Sequence, residues 1–531
     1  MYTNRGAPHH IVEGIDYKEI LSRIYEPFDN TFDFSMFFIL RSIWFSKDKG
    51  YHSFIITNKW LRAKYGKKIR RFLKENLTIK KVIDFNGIRV FVGATVDTLV
   101  YVIQKKKPER DNLIFYNHPL SWDSIEQGGY KVKQASLSDD IWNFVDERTE
   151  EIKKWIEKVG KPLKDLDVKI YRGITTGFNE AFVIDNETRK KLIEEYPKSA
   201  ELIKPLLRGR DIGRYYEEWD RKWIIIIPAG FTKNLIEKNV PLEEAEEFFK
   251  NEYPSIYSHF EQFKNVETGR GKGLVNRDDQ GDYWWELRPC DYYPEFEKPK
   301  IVWQRVNRKP VFILDNAKMH VLDSNAFMTG NYEVLKFLNL LLLSKFIENY
   351  YVKNFVHLYG DKGYLLSNQY IEKIPIRLPK KPKYYENLAD YLLFLNATEE
   401  RRQEFKDTIE FFDRQIADSL VYELYFKEKF AEDGLYPEPK EYLLEEVSKH
   451  LKPINYDRRA ELYWKKQIEG NLTEEEEELE DLENENLKTI IEVVEAIKAD
   501  REIMELIERI KGHEWVKVVE GNPKIDREVE W

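Results

Sequence analysis

The feature that most narrows the fold is a change of period within the first 110 residues. "YHSFIIT" (51–57) has the apolar character of a strand. Leu61, Tyr65, Ile69, Phe72 and Leu73 then recur at helical spacing. "KKVIDF" (80–85) and "TVDTLVYVIQ" (95–104) return to strand-like runs on either side of an Asn86-Gly87 turn. Strand, helix, strand and strand in that order predict a parallel α/β sheet closed by a hairpin at its edge. Upstream, "DFSMFFILRSIWF" (33–45) predicts a buried helix, and Thr57 is placed to cap the helix that follows β-type residues 51–57. Phe91 breaks the pattern: it is a large aromatic where the chain has to bend, next to the basic "QKKK" of residues 104–107.

A chain of 531 residues is too long for one core. Residues 111–165 predict a helical connector with one amphipathic helix near 140–158. Residues 166–380 carry short β-rich runs such as "VKIYRGI", "KWIIIIPAG", "KIVWQRV" and "PVFILD", separated by Gly, Pro and Asn, with a helix at 332–353 inside them. Beyond the Pro-Lys-rich "RLPKKPKYYEN" the chain turns helical over 381–531: Phe405, Ile409, Phe412, Ile416 and Leu420 lie on one helix face. Thr473 and Glu476 have capping-box spacing, and nine acids stand between 474 and 485. That run is either a solvated helix start or a DNA-mimicking tail.

The net charge of −9 argues against a protein that coats nucleic acid over its whole surface. Charge is unevenly distributed, however: residues 59–110 hold 15 Lys and Arg against 4 Asp and Glu, a net of +11. That segment is either a solvated helix face or a surface that meets phosphates. Cys290 is the single cysteine, so neither an intrachain disulfide nor a cysteine-based metal site is expected, in keeping with a cytoplasmic protein. No stretch is long and apolar enough for a membrane span. The adjacent His9-His10 pair does not present two ligands on one helix face, there is no HExxH, and no metal site is expected. "TGRGKGLVN" (268–276) fits no phosphate-loop pattern and reads as a basic loop. Glu151-Ile152-Lys153 matches part of a metal-dependent nuclease site but falls on a predicted helix, where such triplets arise by chance.

Longer strings, in order, carry a resemblance. "FDFSMFFILRSIWF", "KGYHSFIITNKWLRAKYGKKIRRFLKEN" and "KKVIDFNGIRVFVGATVDTLVYVIQKKK" resemble the second half of the catalytic domain of Taq-type, gamma-class adenine-N6 DNA methyltransferases. "GKPLKDLDVKIYRGITTGFNEAFVID", "IKPLLRGRDIGRYY", "YWWELRP", "KPKIVWQRV" and "LLSNQYIEKIPI" resemble the target-recognition domain of fused type IIG restriction–modification enzymes. The resemblance implies an α/β fold that forms the C-terminal half of a Rossmann-like methyltransferase sheet (1–110), a helical connector (111–165), a mostly β target-recognition domain with helical insertions (166–380) and a helical C-terminal region (381–531). The family's FxGxG turn for S-adenosylmethionine and its Asn-Pro-Pro-Tyr loop do not occur in this sequence; Asn522-Pro523 is its one Asn-Pro pair.

What the resemblance implies for function follows from that departure. Phe91 matches the position that stacks on a flipped adenine, and no catalytic residue is expected in this chain. S-adenosylmethionine would be bound mainly by the missing N-terminal half or by a separate N-terminal methyltransferase chain. Double-stranded DNA would be held by the basic segment, with Lys64, Lys67, Lys68 and Arg71 as candidates. Its sequence would be read by Arg172, Thr175, Asn179, Arg208, Arg210, Arg305 and Arg308, residue types suited to base edges and phosphates. Each arginine taken singly also fits a surface salt bridge, and Phe91 also fits a hydrophobic plug at a strand end. The alternative function is a DNA-recognition subunit without enzymatic duty, or a methyltransferase remnant.

Overall fold

Asp33 accepts the backbone N–H of Ser35 at 2.9 Å and so starts helix α1 (Phe34–Phe45) in the computed structural model. The structure describes residues 11–12, 15–24, 33–85, 88, 90–91, 97–119, 122, 125, 128–139, 141–236, 240–268, 271–356, 363–470, 472 and 475–521. They fold as two units: Met1–Trp155 with Asn354–Gly363, and Ile156–Lys353 with Tyr364–Trp531. In the first unit α1 buries Met36, Phe37, Ile39, Leu40 and Ile43 but not its whole circumference. Phe38, Trp44 and Phe45 are 66, 50 and 75% exposed, so the expected buried helix is buried on one side only.

Strand β1 (Tyr51–Thr57) follows, then helix α2 (Lys67–Asn76), β2 (Thr78–Asp84), β3 (Thr98–Gln104), β4 (Leu113–Asn117) and β5 (Tyr130–Lys133). Thr57 Oγ1 accepts the Lys59 N–H at 3.3 Å, opening a 3-10 turn (Lys59–Leu61) rather than α2, whose N-cap is Gly66. The strands form one sheet in the order β1-β3-β2-β4-β5. The expected parallel sheet needs correction: only β2 and β4 pair in parallel, and the other three pairings are antiparallel. The cause is the short 85–97 connection, which folds β3 back against β2. Because β1 and β2 both run antiparallel to β3, they share one direction and α2 crosses over between them. The stretch expected as a helical connector supplies β4 and β5 to this sheet before helix α3 (Glu147–Val159) begins. Trp60 and Trp142 meet edge-on at 5.6 Å in the core beneath the sheet.

The second unit contains two four-stranded sheets. One is built from β6 (Val168–Arg172), β10 (Lys300–Gln304), β11 (Phe312–Asp315) and β13 (Asn325–Gly330), in the order β11-β10-β13-β6 and antiparallel throughout. The other joins β7 (Val183–Ile184), β8 (Ile203–Leu207), β9 (Lys222–Ile225) and β12 (His320–Val321) in the order β7-β9-β8-β12. Lys300 and Asp315 form an ion pair at 2.5 Å with neither side chain exposed. Asp315 also accepts the N–H groups of Ala317 and Met319, and Lys300 donates to the Phe296 carbonyl, which offsets the cost of burying the charges.

Helix 332–353 is not one regular helix: α4 (Tyr332–Leu342) ends before a π-helix at Phe346–Val352. Residues 405–420 are not one regular helix either: Phe405 stands at a break before Lys406–Glu410, and a π-helix follows at Phe411–Ala417. Phe412, Ile416 and Leu420 of the expected stripe are buried, while Phe405 and Ile409 are half-buried. Further helices follow, among them Pro382–Asn396, Asp418–Glu432 and Glu476–Ala499. Thr473, the expected cap of the last of these, and the His9-His10 pair lie outside the described residues. No described helix is long and apolar enough to cross a membrane.

Candidate nucleic-acid interface

Three co-directional strands of the first unit end at one edge of the sheet, and each is followed by a polar residue: Asn58 after β1, Asp84 at the end of β2, Asn117 and His118 at the end of β4. In open α/β sheets, ligands bind at this carboxyl edge. The residues are tied together. Asn58 Nδ2 donates to Asp84 Oδ1 at 3.0 Å, and His118 Nδ1 lies 2.8 Å from the Asp84 carbonyl oxygen. Asn117 Nδ2 donates to the Ile125 carbonyl at 2.8 Å. Asn58, Asp84 and Asn117 are buried, so these contacts hold the edge in shape.

Phe91 stands in the 85–97 connection that leaves this edge, and its side chain is 46% exposed. A second exposed aromatic, Trp122, leaves the same edge after β4 and packs on Phe85 at 5.8 Å between ring centroids. The sequence reading passed over Trp122, Asn58, Asp84, Asn117 and His118. Their signal was present in "IITN", "VIDF" and "IFYNH", where a polar residue or a new aromatic closes each apolar run.

The basic segment is partly used inside the unit. Arg70 is fully buried and donates to the carbonyls of Trp60 and Ala63, the second at 2.9 Å. Arg71 pairs with Glu75 at 3.0 Å, an exposed bridge of little energetic weight. Lys105 donates to the Ser46 carbonyl, and Lys106 pairs with Glu109. Lys59, Lys67, Lys68, Arg71, Lys80, Lys107 and Arg110 stay exposed. The Lys64 side chain lies outside the described residues.

In the second unit the candidate reading residues converge beside β13. Past Arg172, Gly173 donates to the Asn325 carbonyl at 3.1 Å and Ile174 to the Val321 carbonyl at 2.8 Å. A Cβ on Gly173 would stand 2.0 Å from the Leu322 carbonyl oxygen, so only glycine permits this approach. Arg305 donates to the Asp323 carbonyl at 3.1 Å, and Arg172 Nη2 lies 3.8 Å from the Asp323 carboxylate. Burial, then the neighbouring charge of Arg172, lower the pKa of Arg305, while Asp323 acts in the opposite sense. Thr176 Oγ1 donates to Asn179 Oδ1 at 2.6 Å, which orders the turn carrying half-buried Thr175 and exposed Asn179. The turn at Gly209 also lies here, against Asn325 and Gln304.

Arg208 is held differently. Its guanidinium makes two bonds to Asp211, at 2.9 and 2.8 Å, and one to Asp220 at 2.6 Å, and the Asp211 bonds are the first cause of its raised pKa. Those bonds leave it shaping the turn, while Arg210 is 73% exposed. Arg308 is exposed, three residues beyond Arg305. The sequence reading also missed Asp323 and Arg277. Buried Arg277 donates to the carbonyls of Thr176, Asp279, Trp284 and Glu286 and so latches the 173–179 turn, and burial pushes its pKa down to about 10. The "TGRGKGLVN" stretch contains a short hairpin, Glu267–Thr268 with Gly271–Lys272, and Arg270 lies outside the described residues. Glu151 and Lys153 lie on α3, and among the described residues no cluster of His, Cys, Asp or Glu is placed to hold a metal ion.

Residues 7–91 match the family model of the Eco57I restriction-modification methylase, and residues 204–376 match that of the TaqI-like C-terminal specificity domain. The chain is 22% identical over 454 residues to the type II restriction enzyme and methyltransferase RM.Eco57I of Escherichia coli, covering 78% of this chain and 42% of that protein. It is 20% identical over 449 residues to the type II methyltransferase M.BstVI of Geobacillus stearothermophilus, covering 79% of this chain and 72% of the relative. A solved structure of the type IIL restriction-modification enzyme MmeI in complex with DNA aligns with 85% of this chain and 54% of its own at 11% identity and a TM-score of 0.46, too loose a likeness to carry weight. The chain thus resembles type II restriction–modification methyltransferases that carry a specificity domain. A group such as S-adenosylmethionine calls for a glycine-rich turn from strand to helix. Among the described residues no strand-to-helix turn carries the FxGxG pattern; the one turn with two glycines, 173–178, reads "GITTGF".

Proposed function

We propose that this chain is the DNA-reading part of an adenine-N6 methyltransferase and supplies one wall of the pocket for the flipped base. The observation that carries the reading is Phe91: a half-exposed ring at the carboxyl edge of the sheet, in the segment matched to a methylase family. Extruding a base from the duplex costs a few kcal/mol, and stacking on an aromatic face returns about 1–3 kcal/mol of it. The basic surface of α2 neutralises phosphates. The arginines around Asp323 face base edges or backbone, and Arg277 holds their turn in place. Catalysis then rests on orientation, with the adenine held against a methyl donor bound elsewhere.

The donor site lies outside these 531 residues, and we propose that a separate chain brings it. Two features support a docking partner. Among the described residues β1 is an edge strand with no neighbour on its outer side, and its Tyr51 and Ile55 are 66 and 46% exposed. Beside it, α1 turns Phe38, Trp44 and Phe45 outward. An open edge and an apolar helix face together fit the continuation of the sheet by the cofactor-binding half of the methyltransferase. The test is purification of the tagged chain from its native host. A co-purifying polypeptide that carries both the glycine-rich turn and an Asn-Pro-Pro-Tyr loop supports the reading. Methyl transfer by the chain alone contradicts it.

A further inference from the structure

From the geometry at the carboxyl edge of the first unit's sheet, we infer that Trp122 is a second stacking platform, which takes an unstacked nucleobase other than the one on Phe91; this rests on the DNA-binding reading above. Trp122 is 53% exposed, yet its surroundings are built rather than loose. Its ring lies against Phe85, which is itself buried, at 5.8 Å and an interplanar angle of 36°. The described residues around it are held in place. His118 lies against the Asp84 carbonyl, Asn117 Nδ2 holds the Ile125 carbonyl, and the Ile125 N–H reaches back to the Trp122 carbonyl at 3.4 Å. The pinning places the ring at the same edge as Phe91. β2 and β4 pair in parallel with Ile83 opposite Asn117, so the connections after the two strands leave side by side. A half-exposed tryptophan packed at a tilt against a buried phenylalanine suits a flat aromatic ligand. A base flipped from a duplex leaves two such faces unsatisfied nearby: its neighbour in the strand and its orphaned partner. Stacking is tolerant of base identity, so this platform needs no base-specific hydrogen bond.

The probes are a 12-nucleotide single strand, a duplex of the same sequence, and that duplex with one central mismatch. 2-Aminopurine is placed in turn at the mismatched base, its neighbour and its partner. Trp122→Phe keeps a flat ring and Trp122→Leu keeps apolar bulk against Phe85. The expected result is that the Phe variant binds the single strand and the mismatch like the native chain. The Leu variant should bind them about 5- to 150-fold more weakly, the range given by one stacked base, and should bind the intact duplex unchanged. Quenching of the probe at the neighbour or at the partner, lost in the Leu variant, distinguishes the two sources. If the Leu variant binds as well as the native chain, or the Phe variant as poorly as the Leu variant, the platform is refuted. If Trp122→Leu weakens binding while Phe91→Ala does not, Trp122 stands and the role given to Phe91 falls.

Discussion

Phe91 and His320 show how differently a single aromatic-type residue can act in this chain. Phe91 is half exposed and contributes little to the core. Phe91→Ala should therefore leave the melting temperature nearly unchanged while weakening binding to DNA with an abasic or mismatched target by about 5- to 150-fold. Binding to intact nonspecific duplex should hardly move, and fluorescence anisotropy on the two duplexes measures the difference. His320 is 3% exposed and stacks on Phe296 at 5.2 Å. Burial, then the charges of Lys300 and Lys204, lower its pKa to about 3 from 6.5. The unfolded chain therefore binds a proton at His320 that the folded chain refuses. Its contribution is complete above about pH 6.5 and is lost as the pH falls from there toward 3, with a slope of up to about 1.4 kcal/mol per pH unit. Denaturant titrations between pH 7 and 5 should show stability falling on the acid side, and His320→Gln should flatten that fall.

At the scale of elements, Gly173 fixes the turn that follows Arg172 against residues 321–325. Gly173→Ala brings a methyl group against the Leu322 carbonyl, so the 173–179 turn must shift and the cost should be about 1–3 kcal/mol. Thermal melts should show the loss, and Arg277→Met, which removes the latch on the same turn, should lower the melting temperature as well. The elements themselves were legible to different degrees. α1, β1 and the 405–420 stripe were readable because their apolar residues keep one period over several turns or a whole strand. β4 and β5 were not: "LIFYN" and "YKVK" are too short to show a period, and their place in the sheet comes from β4 pairing with β2, a long-range contact, and β5 pairing with β4. The parallel sheet was expected from strand–helix–strand order, which cannot reveal that β3 inserts between β1 and β2. In the candidate site, the sequence singled out Arg172 and Arg305 by type, but only the fold brings them together around Asp323. Arg208 has the same chemistry in the sequence and is held by Asp211 and Asp220 instead.

At the scale of the whole molecule, charge distribution outweighs net charge. The chain is acidic overall, yet its first unit presents exposed Lys59, Lys67, Lys68 and Arg71. DNA affinity should fall steeply with salt, and Lys67→Ala with Lys68→Ala should reduce the log–log slope by about 1 for each phosphate contact removed. A flat response would mean that the basic segment is a solvated face. The outward aromatics of α1 belong to the same scale. Phe38→Ser with Phe45→Ser should release the proposed partner chain in size-exclusion chromatography while the circular dichroism spectrum stays native, because both side chains are already exposed. The most direct test of the whole reading is methyl transfer from labelled S-adenosylmethionine to plasmid DNA, with modified bases located by sequencing. The native chain together with its co-purifying polypeptide should yield N6-methyladenine in a single sequence context. Each component alone should yield none, and Phe91→Ala should cut the yield more than tenfold. Methylation by this chain alone, or by the pair at full rate without the Phe91 ring, would contradict it.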